Sequence, residues 1–209
     1  MRLTPGIAAL LLLVCALEGR AQTSTDETSA APHVLEALPG STLTIRGSTT
    51  IGKSWHCRAR DVSSRVAVGP PDHASSRAAI PEIRGVMIHV PVSALKCENG
   101  MMERAMRHAL RADRDTAAQS IRGLFEIYDE FKPSDPRDAH LAGALRVAGT
   151  ERNVFLHARI EPRPEDLHVR SVVPLTLSSF GIEPPRVLFG AIRARDAVTV
   201  EVELRYPRP

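Results

Sequence analysis

Aromatic side chains are scarce in this chain: five Phe, two Tyr and one Trp amount to 4% of 209 residues. A core made from it is therefore aliphatic, drawn from its many Val, Leu, Ile and Ala. An excess of either charge is also missing. Setting aside Arg2, Glu18 and Arg20, which fall in the first 21 residues, leaves 25 basic and 23 acidic residues, evenly dispersed. Such a balance gives no footing for nucleic acid. Long hydrophobic runs are absent too. The apolar stretch Ile7 to Leu17 falls well short of the roughly 20 residues that cross a bilayer, so no stable membrane anchor is expected. Cysteine is limited to Cys15, Cys57 and Cys97.

What is present begins with an address. Arg2, the apolar stretch and Gly19-Arg20-Ala21 read as a signal peptide over residues 1–21, cleaved after Ala21, which sends the chain to the periplasm or outside the cell. Leu12-Leu13-Val14 before Cys15 places a β-branched residue where a lipid-modified cysteine needs a small one, so a lipoprotein is the poorer reading. In an oxidising compartment Cys57 and Cys97 are expected to pair, the alternative being two separate buried thiols. Closing a loop of this length stabilises a fold by about 4 kcal/mol in the chain-entropy view. Residues 22–40 open with the small, polar, aperiodic QTSTDETSAA and read as a flexible linker. Residues 41–209 fit one domain.

Within that domain apolar residues alternate with period two, the mark of strands with one buried face. Val198, Val200, Val202 and Leu204 alternate with Thr199, Glu201 and Glu203. The same pattern runs through Val86, Ile88 and Val90, through Ile121, Phe125 and Ile127, through Leu141, Leu145 and Val147, and through Val154, Leu156 and Ile160. With residues 42–47, 57–68 and 168–177 this makes about eight strands, separated by turns at Gly69–Asp72, Lys132–Pro136, Gly149 and Pro162–Asp166. Short turns between consecutive strands predict an all-β antiparallel sheet closed as a barrel or folded as a sandwich. Residues 99–112 depart from the pattern. Met102, Ala105, Met106, Ala109 and Leu110 fall at helical spacing behind Asn99 as N-cap, which predicts one amphipathic helix. Its opposite row, Arg104, His108 and Arg111, reads as a solvated face rather than an anion site.

Catalytic chemistry finds no foothold. There is no GxSxG, and Gly47-Ser48 and Ser178-Ser179 lack a His-Asp signature nearby. The eight histidines form no HxH or HExxH pair, and no Gly-rich phosphate loop follows a strand, so neither metal nor cofactor is expected.

One ordered string is more specific. Val172-Val173-Pro174-Leu175-Thr176-Leu177-Ser178-Ser179-Phe180-Gly181-Ile182-Glu183-Pro184-Pro185, followed by Gly190-Ala191-Ile192-Arg193 and Asp196-Ala197-Val198-Thr199-Val200, resembles the closing pattern of the YceI-like family of exported lipid-binding proteins. Gly143 to Arg152 is similar to that family's "GtLti-G-tr" hairpin, and Val90-Pro91-Val92 with Met101-Met102 to its step from strand to helix. Trp55-His56-Cys57 and Cys97 stand where a subgroup carries a Trp-x-Cys and a second cysteine. The segment Thr50 to Trp55 departs from the family's "TLHDW". The resemblance implies an eight-stranded, lipocalin-like antiparallel barrel with one helix against it and an apolar pocket. The implied partner is an isoprenoid-type lipid: an isoprenoid quinone, polyprenyl lipid or fatty amide. A homodimer is compatible with the same features. Trp55, Phe125 and Phe180 are the large side chains suited to shape such a pocket, and Val86, Ile88, Leu145, Val147, Leu156, Leu175, Val200 and Val202 are its expected lining. The competing expectation is an exported interaction module with a packed core and no ligand.

Overall fold

The alternating segments become an antiparallel sheet in a computed structural model that describes residues 33–60, 62–69, 80–112, 115–128 and 134–208. The expected signal peptide, its cleavage site and the first part of the linker lie outside the described residues, as do parts of the Gly69–Asp72 and Lys132–Pro136 turns. The first half contains β1 (His33–Glu36), β2 (Thr42–Thr49), β3 (Ser54–Ala59), β4 (Ser63–Val68), β5 (Ile83–Pro91), β6 (Lys96–Cys97) and the helix α1 (Gly100–Ala109). The second contains β7 (Ser120–Ile127), β8 (Asp138–Val147), β9 (Thr150–Pro162), β10 (Asp166–Thr176), β11 (Arg186–Val187) and β12 (Ile192–Pro207). The sheet runs β1-β4-β5-β7-β8-β9-β10-β12-β2-β3-β6, with β11 paired to β12 alone.

Twelve strands replace the eight expected, for two physical reasons. The segment 57–68, read as one strand, is two. Trp55, Cys57 and Ala59 are buried at odd positions, whereas Ser64, Val66 and Val68 are buried at even ones. That change of phase marks a break, because a continuous strand keeps one parity on one face. The remaining additions, β1, β6 and β11, are too short to display a period of two. Strand β1 also shortens the expected linker, since His33–Glu36 pairs with Val68–Arg65 of β4. Only Leu35 of β1 is partly buried, so it is the ladder and not a hydrophobic face that orders it.

The sheet curls until β4, next to the end strand β1, meets β12. There the Tyr206 hydroxyl, fully buried, donates to Ser64 Oγ at 2.7 Å, and Ser64 Oγ donates onward to the Met87 carbonyl at 2.7 Å. Burial pushes the Tyr206 phenol up to about 12. Nearby, Ala37 N–H donates to the Ser64 carbonyl and Leu38 N–H to the Arg205 carbonyl, fastening the chain after β1 across the join.

The helix begins as its sequence predicts, with Asn99 Oδ1 accepting from Met101 N–H at 2.8 Å. Ten residues make a marginal helix in isolation, so packing must hold it. Met102, Met106 and Leu110 are buried against the sheet, and Glu103 accepts from Cys97 N–H while pairing with Arg107 one turn on. Burial raises the Glu103 pKa, but the Cys97 N–H, Lys96 and Arg107 together outweigh it and leave the carboxyl lowered. The disulfide Cys57–Cys97 joins β3 to β6, with Cα atoms 4.0 Å apart, and so ties the start of the helix to the sheet.

Candidate functional site

The inward faces of seven strands enclose one cavity of about 110 Å³. Leu43 and Ile45 come from β2, Val86 and Ile88 from β5, and Ile121, Gly123 and Phe125 from β7. Strands β8 and β9 add Leu141, Leu145, Val147, Leu156 and Ala158, and β10 and β12 the alternating residues from Val169 to Leu175 and from Val198 to Leu204. Met106 and Leu110 of α1 close one end together with Leu177, Phe180 and Ile182 around the 3-10 turn Ser178–Phe180. Polar groups in this lining are limited to Ser171 and Thr176. The Ser171 hydroxyl is itself engaged, donating to the His157 carbonyl at 2.8 Å. A cavity of this character stays dry, and one of roughly 150 Å³ takes up benzene.

The aliphatic composition forms the cavity through one local device. A Cβ built on Gly123 would stand 2.4 Å from the Phe125 ring, so the ring folds back over a glycine of its own strand and clears the space in front of it. Gly143, opposite Phe125 on β8, has no room for a Cβ either: the Leu124 carbonyl would lie 2.0 Å away. Both glycines follow from close approach and not from a turn.

The wall is not laddered all the way round. β10 stays paired with β12 to Thr176, and β9 with β8 to Thr150. Between β9 and β10, however, pairing runs from Leu167–Pro162 only as far as Ser171–Ala158. Residues 150–157 of β9 and 172–176 of β10 therefore border a seam. Pro174, which has no N–H to give, stands in the unladdered stretch, where a strand tolerates it. Leu156, Ser171 and Leu175, all partly exposed, sit beside the seam and line the cavity. Two side-chain hydrogen bonds span it among the described residues: Ser171 to His157 at its base, and Arg152 Nε to the Ser179 carbonyl at 2.8 Å near its top.

Val86, Ile88, Phe125, Leu145, Val147, Leu156, Leu175, Phe180, Val200 and Val202 all stand in this lining. Trp55 does not. Its ring lies over Gly47 of β2, where a Cβ would come within 2.4 Å of it, and its buried Nε1–H has no acceptor among the described residues. Residues that sequence reasoning left out, among them Met106, Leu110 and Ile182, close the end of the cavity. The two helix residues were legible as its buried stripe but carried no signal of what they face. Among the described residues no three His, Cys, Asp or Glu side chains converge as a metal site requires.

No family model matches the sequence, and no curated protein matches it either. Solved structures do. Burkholderia cenocepacia BcnA is 12% identical and superposes over 79% of this chain and 95% of its own, with a TM-score of 0.61. A polyisoprenoid binding domain from Saccharophagus degradans, described as implicated in plant cell wall breakdown, is 10% identical over 84% of this chain and 98% of its own, at 0.57. The Campylobacter jejuni YCEI protein is 13% identical over 73% and 84%, at 0.54. Likeness at this identity establishes architecture, and the chain has the fold of the YceI-like proteins that its closing motif resembles.

Proposed function

We propose that this protein is a periplasmic or secreted carrier that holds one slender apolar ligand, an isoprenoid quinone, polyprenyl lipid or fatty amide, inside the curled sheet. The observation that carries the reading is the apolar cavity with its seam: a lining with no titratable group, bordered by two strands that have stopped pairing. The likeness to a polyisoprenoid binding domain supports the ligand class. Binding needs no polar contact, because each 100 Å² of apolar ligand surface removed from water contributes about 2.5 kcal/mol. The exported location rests on residues 1–21. The two hydroxyls of the lining, Ser171 and Thr176, have no titratable base beside them in it, so no hydrolysis of ester or phosphate substrates is expected.

The small volume favours a second reading, an exported interaction module whose core is simply packed. Mass spectrometry of organic extracts from natively purified protein separates the two. A stoichiometric apolar compound supports the carrier. An empty extract, together with no uptake of an apolar fluorescent probe, removes it.

A further inference from the structure

Near the end of the sheet that α1 covers stands Phe189, the most exposed large apolar side chain among the described residues. Leu188 and Phe189 occupy the two central positions of the turn between β11 and β12, where Gly190 N–H donates to the Val187 carbonyl at 3.2 Å. Both have positive φ, 52° and 55°. A turn with positive φ at both central residues belongs to Asn-Gly, because side chains with a Cβ are strained there. The chain instead places two large apolar residues in it, and Phe189 is fully exposed, at 112% of its reference area. Phe189 buries nothing in the fold there, and Leu188 stays 47% exposed.

The neighbouring hairpin, between β2 and β3, points Ile51 outward with 56% exposure. This hairpin meets the base of the Leu188–Phe189 turn, since Thr50 N–H donates to the Arg193 carbonyl at 2.9 Å and Arg195 Nε to the Thr49 carbonyl at 3.3 Å, with Arg193 paired to Arg186 of β11. The same two segments carry Lys53, Arg186, Arg193 and Arg195. The acids there are Glu183, held by Arg186 at 2.6 Å, and Asp196, which accepts from the Ser178 N–H and hydroxyl. An exposed apolar turn on segments with four cations and two engaged acids fits the interface of an anionic bilayer, where the tip enters the acyl boundary and the cations meet the headgroups. A second copy fits it worse, because a symmetric contact would bring the same cations face to face.

We propose that the Leu188–Phe189 turn, with Ile51, docks the protein peripherally on anionic lipid surfaces. No described helix is long and apolar enough to cross a membrane, so this contact is superficial. It does not depend on what the cavity holds, and the experiment is independent of the lipid extraction above.

The test is flotation of the full chain, as its host processes it, with phosphatidylcholine vesicles and with vesicles containing phosphatidylglycerol. The key variant is Leu188→Asn with Phe189→Gly, which gives the turn the residues its backbone prefers, so folding is preserved and the thermal midpoint should hold or rise. The expected result is partition onto the anionic vesicles, reduced about tenfold or more by the variant and weakened when salt is raised to about 0.5 M. Comparison with the variant cancels any contribution of residues 1–21. The proposal is overturned by partition that the variant leaves unchanged, by equal partition onto neutral vesicles, or by a dimer that the variant dissolves without any vesicle binding.

Discussion

Filling the cavity from its wall tests whether the interior is hollow. Val200 on β12 and Leu156 on β9 both line the cavity and are partly exposed, and Val200 has Val173 and Ile45 as its lateral neighbours. Replacing either with Trp introduces a ring system somewhat larger than the benzene that a cavity of roughly 150 Å³ accepts. At about 24 cal/mol per Å³, an empty 110 Å³ represents on the order of 2–3 kcal/mol of unrealised packing. A Trp that enters it recovers part of this and offsets the strain of insertion. In a filled core the same change costs about 1–3 kcal/mol, or roughly 2–12 °C of midpoint for a domain of this size. The comparison requires delipidated wild type, because a bound ligand raises the midpoint by itself. The expected outcome for Val200→Trp and Leu156→Trp is an unchanged midpoint and loss of co-purified lipid. A fall of several degrees in both variants, with lipid retained or absent throughout, would refute the hollow interior.

Three further outcomes follow from named contacts. Replacing Cys57 and Cys97 by Ser should lower unfolding free energy by up to about 4 kcal/mol in denaturant titration, and a loss below about 1 kcal/mol would show that the cross-link constrains little. Tyr206 should titrate near 12, read as tyrosinate absorbance. Because its phenol stays protonated in the folded chain after the unfolded chain has lost the proton, its contribution is complete below about pH 10 and fades as pH climbs toward 12. Tyr206→Phe should abolish that dependence. Arg152→Ala removes the bond to the Ser179 carbonyl at the top of the seam and should speed release of an apolar fluorescent probe several-fold without moving the midpoint; an unchanged rate would place the ligand's route elsewhere.

Period-two alternation located every long strand, because a strand with one wet face must write that pattern into its residues. What it could not locate depends on contacts between strands distant in sequence. Trp55 sits at an inward position of β3 and was grouped with the pocket, yet its ring is spent on covering Gly47 across the ladder. The break between β3 and β4 is legible only in the shift of parity between Ala59 and Ser64, because no Gly or Pro interrupts residues 57–68 to mark a turn. The seam left one trace, Pro174, inside a strand that otherwise reads as fully paired. The turn at Leu188–Phe189 left none, since those residue types argue against the conformation they adopt.

The cavity and the seam together resolve a mismatch of scale. A volume of about 110 Å³ suits a slender group, whereas an isoprenoid tail is long, so a carrier must widen somewhere. Most of the wall cannot yield, because β5, β7, β8 and β12 are laddered on both sides, and opening any of those junctions breaks several backbone hydrogen bonds at once. Between residues 150–157 and 172–176 that ladder is already missing. Parting them sacrifices two side-chain hydrogen bonds, together about 1–3 kcal/mol, and roughly 100 Å² of additional buried ligand surface is enough to offset that. Widening therefore concentrates at the seam, where Leu156 and Leu175 can swing outward while the rest of the sheet keeps its register. Hydrogen exchange of the ligand-bound protein should then leave the amides of the laddered junctions as protected as in the free protein, because the seam has no backbone ladder to lose. Loss spread evenly over the sheet would mean that the ligand is admitted by general loosening of the barrel instead.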